Sequence, residues 1–129
     1  RRLRDAGFKL AALTNNFHVE DHSAAARAEL EGLFDHFLES RLEGLSKPDF
    51  AFYKLALDRL GCHPGEVVFL DDTGVNLKAA KALGLATIRV TNKTETSYVA
   101  SLKELEKVVG VQLVDAEDAN MIQAANSRL

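Results

Sequence analysis

The carboxylates of Asp71 and Asp72 stand side by side at the end of an apolar run, Val67-Val68-Phe69-Leu70. Two adjacent acids at a strand tip repel each other and lose hydration. A hard cation relieves both costs, and oxygen-only donors suit Mg2+. A plainer account is a polar turn in which Asp72 caps the helix after Thr73-Gly74. Two more polar clusters fit the same chemistry. Thr14-Asn15-Asn16 follows the apolar stretch 8–13, and Ser46-Lys47-Pro48 opens a helical stretch. Thr14 and Asn15 can donate hydrogen bonds to phosphoryl oxygens, while Lys47 is a compact cation that offsets their charge. With Mg2+ bridging phosphate to the acids, the set makes a plausible phosphate site. Singly, each cluster has a simpler explanation: a side-chain turn at 14–16, an exposed loop lysine at 47, a helix-starting proline at 48. Their joint placement argues for the site.

That placement depends on the elements. A helix end over 1–6 closes at Gly7. Strands are predicted at 8–13, 37–40, 67–70 and 86–90, with a short last one at 111–114. Helices are predicted at 21–33, 49–60, 75–83 and 98–109. The third of these stretches is stopped by Gly84, and the second shows a helical period at Phe50, Tyr53, Leu57 and Leu60. Strands alternating with helices imply an α/β fold with a parallel, Rossmann-like sheet and right-handed crossovers. All three polar clusters then fall at the carboxyl edge of that sheet, where open α/β sheets build their sites. Residues 115–129 carry few large apolar side chains and read as a tail or linker.

Composition sets the outer bounds. The 129 residues match one domain, and 47% hydrophobic content supports a real core. A net charge of −3 argues against a nucleic-acid surface. No stretch is long and apolar enough to span a bilayer. Arginines stand near the start, but no uninterrupted apolar region follows, so no signal peptide is expected. Cys62 is the single cysteine, which rules out an internal disulfide and suggests an intracellular, cytoplasmic home, with peroxisome and mitochondrion left open.

The order Leu13-Thr14-Asn15-Asn16, then Ser46-Lys47-Pro48-Asp49, then Val67 to Asp72 resembles the second, third and fourth motifs of the haloacid dehalogenase superfamily. The likeness runs over 1–114. It is strongest toward the phosphatase domains that stand N-terminal in soluble epoxide hydrolase and in acyl-CoA dehydrogenase family member ten, through 66–77 and 103–113. The resemblance implies that Thr14 and Lys47 belong to the catalytic machinery and that Thr14, Asn15 and Lys47 bind the phosphate. It makes Asp72 the main Mg2+ ligand, supported by Asp71, with Asn76 near the metal shell. The substrate would be a phosphorylated small molecule or a lipid phosphate. A receiver domain also uses paired acids, a threonine and a lysine, but there the acids come first; here they come last.

One departure is decisive. The family's nucleophile is the first aspartate of an Asp-x-Asp motif after an N-terminal apolar strand, and no two of the nine aspartates here are two positions apart. That strand would lie mid-sheet, between the strands ending near Thr14 and Asp71, and its loss would leave two apolar edges unpaired. The chain is therefore expected to be the C-terminal part of a phosphatase-like core, with the nucleophile strand and the cap missing and the N-terminal part of the same polypeptide as a partner. Alone it would be inactive, because covalent transfer needs the nucleophile. The other reading is a non-catalytic phosphatase-like module that binds a partner or serves as a structural appendage. A zinc site at His18 and His22 has helical spacing, but the segment reads as loop and no third ligand is placed.

Overall fold

The computed structural model describes residues 1–15, 24–91 and 97–114. Its elements are α1 (Arg2–Asp5), β1 (Ala11–Thr14), α2 (Ala24–Gly32), β2 (His36–Glu39), α3 (Ser40–Glu43), α4 (Phe50–Leu60), a 3-10 turn (Pro64–Glu66), β3 (Val68–Asp71), α5 (Gly74–Ala82), β4 (Ala86–Arg89) and α6 (Ser97–Val109). β1 pairs with β2 in parallel, Thr14 opposite Glu39. β3 pairs with β4 in parallel, Asp71 opposite Arg89. Among the described residues these are two separate two-stranded sheets. The α/β class and parallel pairing stand as expected, and so does the incompleteness: β1 and β3 each keep one edge unpaired among the described residues.

Helix α4 joins the halves. Its apolar period buries Phe52, Tyr53, Ala56, Leu57 and Leu60. Phe52 and Ala56 pack with Leu38 of β2. Tyr53 and Leu57 pack with Ala80 and Leu85. Leu13 of β1 and Phe69 of β3 both lie against that second cluster, so one helix carries both half-sheets. The helix ends at Gly61, whose left-handed φ of 66° is open to glycine at no steric cost. Lys9 Nζ donates to the Leu60 carbonyl at 3.1 Å, a cation at the helix C-terminus.

Several boundaries differ from the sequence expectation. β1 begins at Ala11, not at Phe8, because the Phe8 amide closes the α1 turn on the Leu3 carbonyl and the Leu10 amide donates to Asp35 Oδ2 at 2.7 Å. Ser40 belongs to α3 rather than to the second strand. Asp72 is not a helix cap: Thr73 holds the N-cap position of α5, and no side chain caps it. The expected strand at 111–114 is also absent. The Leu113 and Val114 amides instead both donate to Glu106 Oε1, each at 2.6 Å. A strand needs those amides for a ladder, and the carboxylate has taken them.

The Val114 and Leu113 amides hold the Glu106 carboxyl below its usual value of 4.5 despite desolvation, with Lys103 and Arg2 helping. A lowered folded value adds stability that is complete above the unfolded value and fades as pH falls through the folded one. Protection of the Leu113 and Val114 amides, relative to their intrinsic exchange rates, is therefore expected to fall as pH drops below about 4.5. Glu106→Ala should show the reduced protection already at neutral pH. Equal protection in both proteins would show that the carboxylate does not hold the segment.

Candidate functional site

β1, the loop after α3, and β3 each deliver one polar group to the carboxyl edge. At the end of β3, strand alternation turns Asp71 to the same side as Phe69. Asp71 is buried, while Asp72 is exposed. Lys47 reaches across from the loop after α3, and its Nζ meets Asp71 Oδ2 at 2.8 Å. Both side chains are largely out of solvent, 12% exposed for Lys47 and 5% for Asp71. The ammonium also lies 5.8 Å from the centroid of the Phe69 ring, within cation–π reach.

Both oxygens of the Asp71 carboxyl accept hydrogen bonds. Oδ1 accepts the Thr73 amide at 2.8 Å, and Oδ2 accepts Asn76 Nδ2 at 3.4 Å beside Lys47. Burial alone would raise its pKa. The hydrogen bond from Lys47, then that from the Thr73 amide and the charge of Lys47, overcome this and hold it below the usual 3.8. Asp71 is therefore an anion matched to Lys47 at neutral pH. Asp72 takes a different place, with Oδ1 accepting the Thr73 hydroxyl at 3.2 Å.

Asn15 does something the sequence did not show. Its Nδ2 donates to the Lys47 carbonyl at 2.9 Å, and its Oδ1 accepts the Lys47 amide at 2.9 Å. The side chain thus clasps the Lys47 backbone and ties the end of β1 to the lysine loop. The Lys47-Pro48 peptide in this clasp is cis. Thr14, half-buried at the strand end, precedes the clasp.

The structure thus brings Asn15, Lys47, Asp71 and Asn76 into one hydrogen-bonded chain, with Thr14 and Asp72 next to it in sequence. Asn16, His18 and His22 lie outside the described residues, as does the 115–129 tail. Two groups escaped the sequence reading. Tyr53 falls in the apolar period of its helix, yet its hydroxyl donates to the Asn76 carbonyl at 2.8 Å. The signal was available in principle, since a buried tyrosine hydroxyl needs a partner. Glu39 is 3% exposed and stands opposite Thr14 in the strand register, with Arg41 Nη2 at 3.5 Å. Nothing in its local sequence marked it.

A cation could meet Asp72 and Asp71 here. Their hard oxygen donors suit Mg2+, which keeps several waters and asks for few protein ligands. Among the described residues, no group of three or more His, Cys, Asp or Glu side chains gathers as a closed metal site. None of the described helices is long and apolar enough to cross a membrane.

Residues 1–84 match the family model described as haloacid dehalogenase-like hydrolase. The chain is 47% identical over 116 residues to bifunctional epoxide hydrolase 2 of Sus scrofa, covering 87% of this chain and 20% of that protein. It is 42% identical over 112 residues to acyl-CoA dehydrogenase family member 10 of Mus musculus, covering 87% of this chain and 10% of that one. It is 31% identical over 110 residues to sesquiterpene phosphatase astK of Aspergillus oryzae, covering 85% and 54%. The first two relatives are thus several times longer than the part this chain spans. Among solved structures, an uncharacterized protein of Corynebacterium glutamicum superposes with a TM-score of 0.73 at 24% identity, over 87% of this chain and 78% of that one. That likeness concerns the fold.

Proposed function

The chain belongs to the haloacid dehalogenase-like hydrolases, and from that premise we propose that it is the phosphate- and metal-binding part of a Mg2+-dependent phosphomonoesterase. The observation that carries this reading is the Lys47–Asp71 pair, 2.8 Å apart at the carboxyl edge, with Asn15 clasping the lysine backbone. The sesquiterpene phosphatase relative supports the reaction class.

The roles follow from chemistry. Lys47 sets one fixed positive charge where phosphoryl oxygens gather negative charge, and a preformed charge costs no reorganisation at the moment of reaction. Thr14 donates its hydroxyl to a phosphoryl oxygen. Asn15 orients the lysine loop, and its second amide proton is left for the phosphate. Asp72, with Asp71 behind it, would hold Mg2+, which when bound supplies Lewis-acid neutralisation of the phosphoryl group. Asn76 steadies Asp71. The attacking carboxylate comes from an Asp-x-Asp segment that this sequence does not contain, so the chain works as one segment of a longer polypeptide. The substrate is a phosphorylated small molecule or a lipid phosphate.

The same missing motif favours a second reading, a non-catalytic phosphatase-like module. Mg2+ titration separates a metal site from a polar turn. Millimolar Mg2+ is expected to shift the NMR amide signals of residues 71–76 while the chain alone leaves an aryl phosphate intact. Absent shifts would reduce the acids to a turn. Turnover by this chain alone, abolished by Asp72→Ala, would overturn the need for an outside nucleophile.

A further inference from the structure

We propose that Tyr53 is a positioning residue of this site: its hydroxyl fixes the first turn of α5 and so sets how Asn76 and Asp71 meet an incoming cation. The proposal rests on the Mg2+-dependent reading above and deepens it.

Tyr53 lies on α4, on the face that buries against β3. It is 1% exposed, and its ring meets Phe69 edge-on, centroids 5.3 Å apart at 87°. For packing alone, a phenylalanine would serve. The buried hydroxyl carries a desolvation cost that only a hydrogen bond offsets. It finds that bond at the Asn76 carbonyl, 2.8 Å away. Burial, then the charges of Asp71 and Asp49, push the phenol up to about 12, so it stays a donor at every physiological pH.

The position of that carbonyl matters because of what Asn76 does at its other end. Asn76 Nδ2 reaches Asp71 Oδ2 at 3.4 Å, the long limit of a hydrogen bond. A small outward shift of the α5 first turn would break it. The same aromatic pair also serves the cation side, since Lys47 Nζ stands over the Phe69 ring against which Tyr53 packs. The Tyr53–Phe69 unit therefore lies under both charged partners. Through the hydroxyl it couples α4, which follows the Lys47 loop, to the helix that follows the paired acids.

The test uses the 129-residue chain with Mg2+ alone as probe. Tyr53→Phe keeps the ring and deletes the donor. It is expected to weaken the Mg2+ response of the 71–76 amides about tenfold, the low end for partners that orient metal ligands. 4-Aminophenylalanine at position 53 restores an N–H donor and is expected to restore the response. A structural role alone would lower the melting temperature and leave the Mg2+ response unchanged, and that result overturns the proposal. If the unsubstituted chain shows no Mg2+ response, the metal reading fails, and the Asn76 side-chain amide signals take over as the readout. They are expected to move in Tyr53→Phe and return with the amino variant. Signals that do not move overturn the positioning role by itself.

Discussion

A short apolar strand ending in Asp-x-Asp, supplied in cis or as a separate peptide, is expected to stabilise this chain and to give it phosphatase turnover at the same time. β1 pairs only with β2 and β3 only with β4 among the described residues, and both lean on α4 through Leu13 and Phe69. A strand seated between them would satisfy both open edges. Its tip would then point its carboxylates at Lys47, Thr14 and Asp72. In the completed protein, Lys47→Ala should lower turnover by about 10²–10³, the scale for removing one preorganised group that stabilises developing charge. Lys54→Ala should do little, since Lys54 is exposed on α4. Restored folding without hydrolysis, or a silent Lys47→Ala, would reject the phosphatase reading and leave the non-catalytic module.

The second large effect concerns stability and needs no added strand. Lys47 and Asp71 are both mostly buried, so removing one leaves the other charged and unmatched. Lys47→Met alone is expected to cost about 3 kcal/mol in urea unfolding, the scale for breaking a buried pair. Asp71→Asn keeps an oxygen for the Thr73 amide and removes the charge. The double variant should cost clearly less than the two single costs added together, as a coupled pair requires. Additive costs would mean that the two groups do not sense each other. The pH dependence has a definite sign. Asp71 is lowered in the folded state, so its contribution is complete above the unfolded value near 3.8 and is lost as pH falls through the folded value. In Lys47→Met that acid-linked loss should disappear, because protonation relieves the unmatched Asp71 charge, so the stability gap to the unsubstituted chain should narrow as pH falls.

Local signals made much of this legible. The apolar run ending in Asp71, the helical period of α4 and the alternation of elements each reflect rules that act over a few residues. Parallel topology then put Thr14, Lys47 and Asp71 on one edge without any contact being visible. What stayed hidden involves partners far apart in the chain. Asn15 reads as a phosphate donor, and nothing nearby shows that one of its amide protons goes to the Lys47 carbonyl, 32 residues on. Residues 111–114 read as a strand because β-prone composition cannot reveal that Glu106 takes their amides first. Tyr53 reads only as part of a helical period, which registers the ring and ignores the hydroxyl.

The two parallel pairs have a consequence for how the chain assembles. Each half is a local unit, a strand joined to its neighbour through intervening helix, and no ladder crosses between the halves among the described residues. Cooperative opening then divides along the same seam. In native-state hydrogen exchange, β1–β2 and β3–β4 are expected to behave as two foldons. The α4 side chains pack against both halves, so its amides are expected to be the slowest to exchange, with α4 joining the two local events into a single transition.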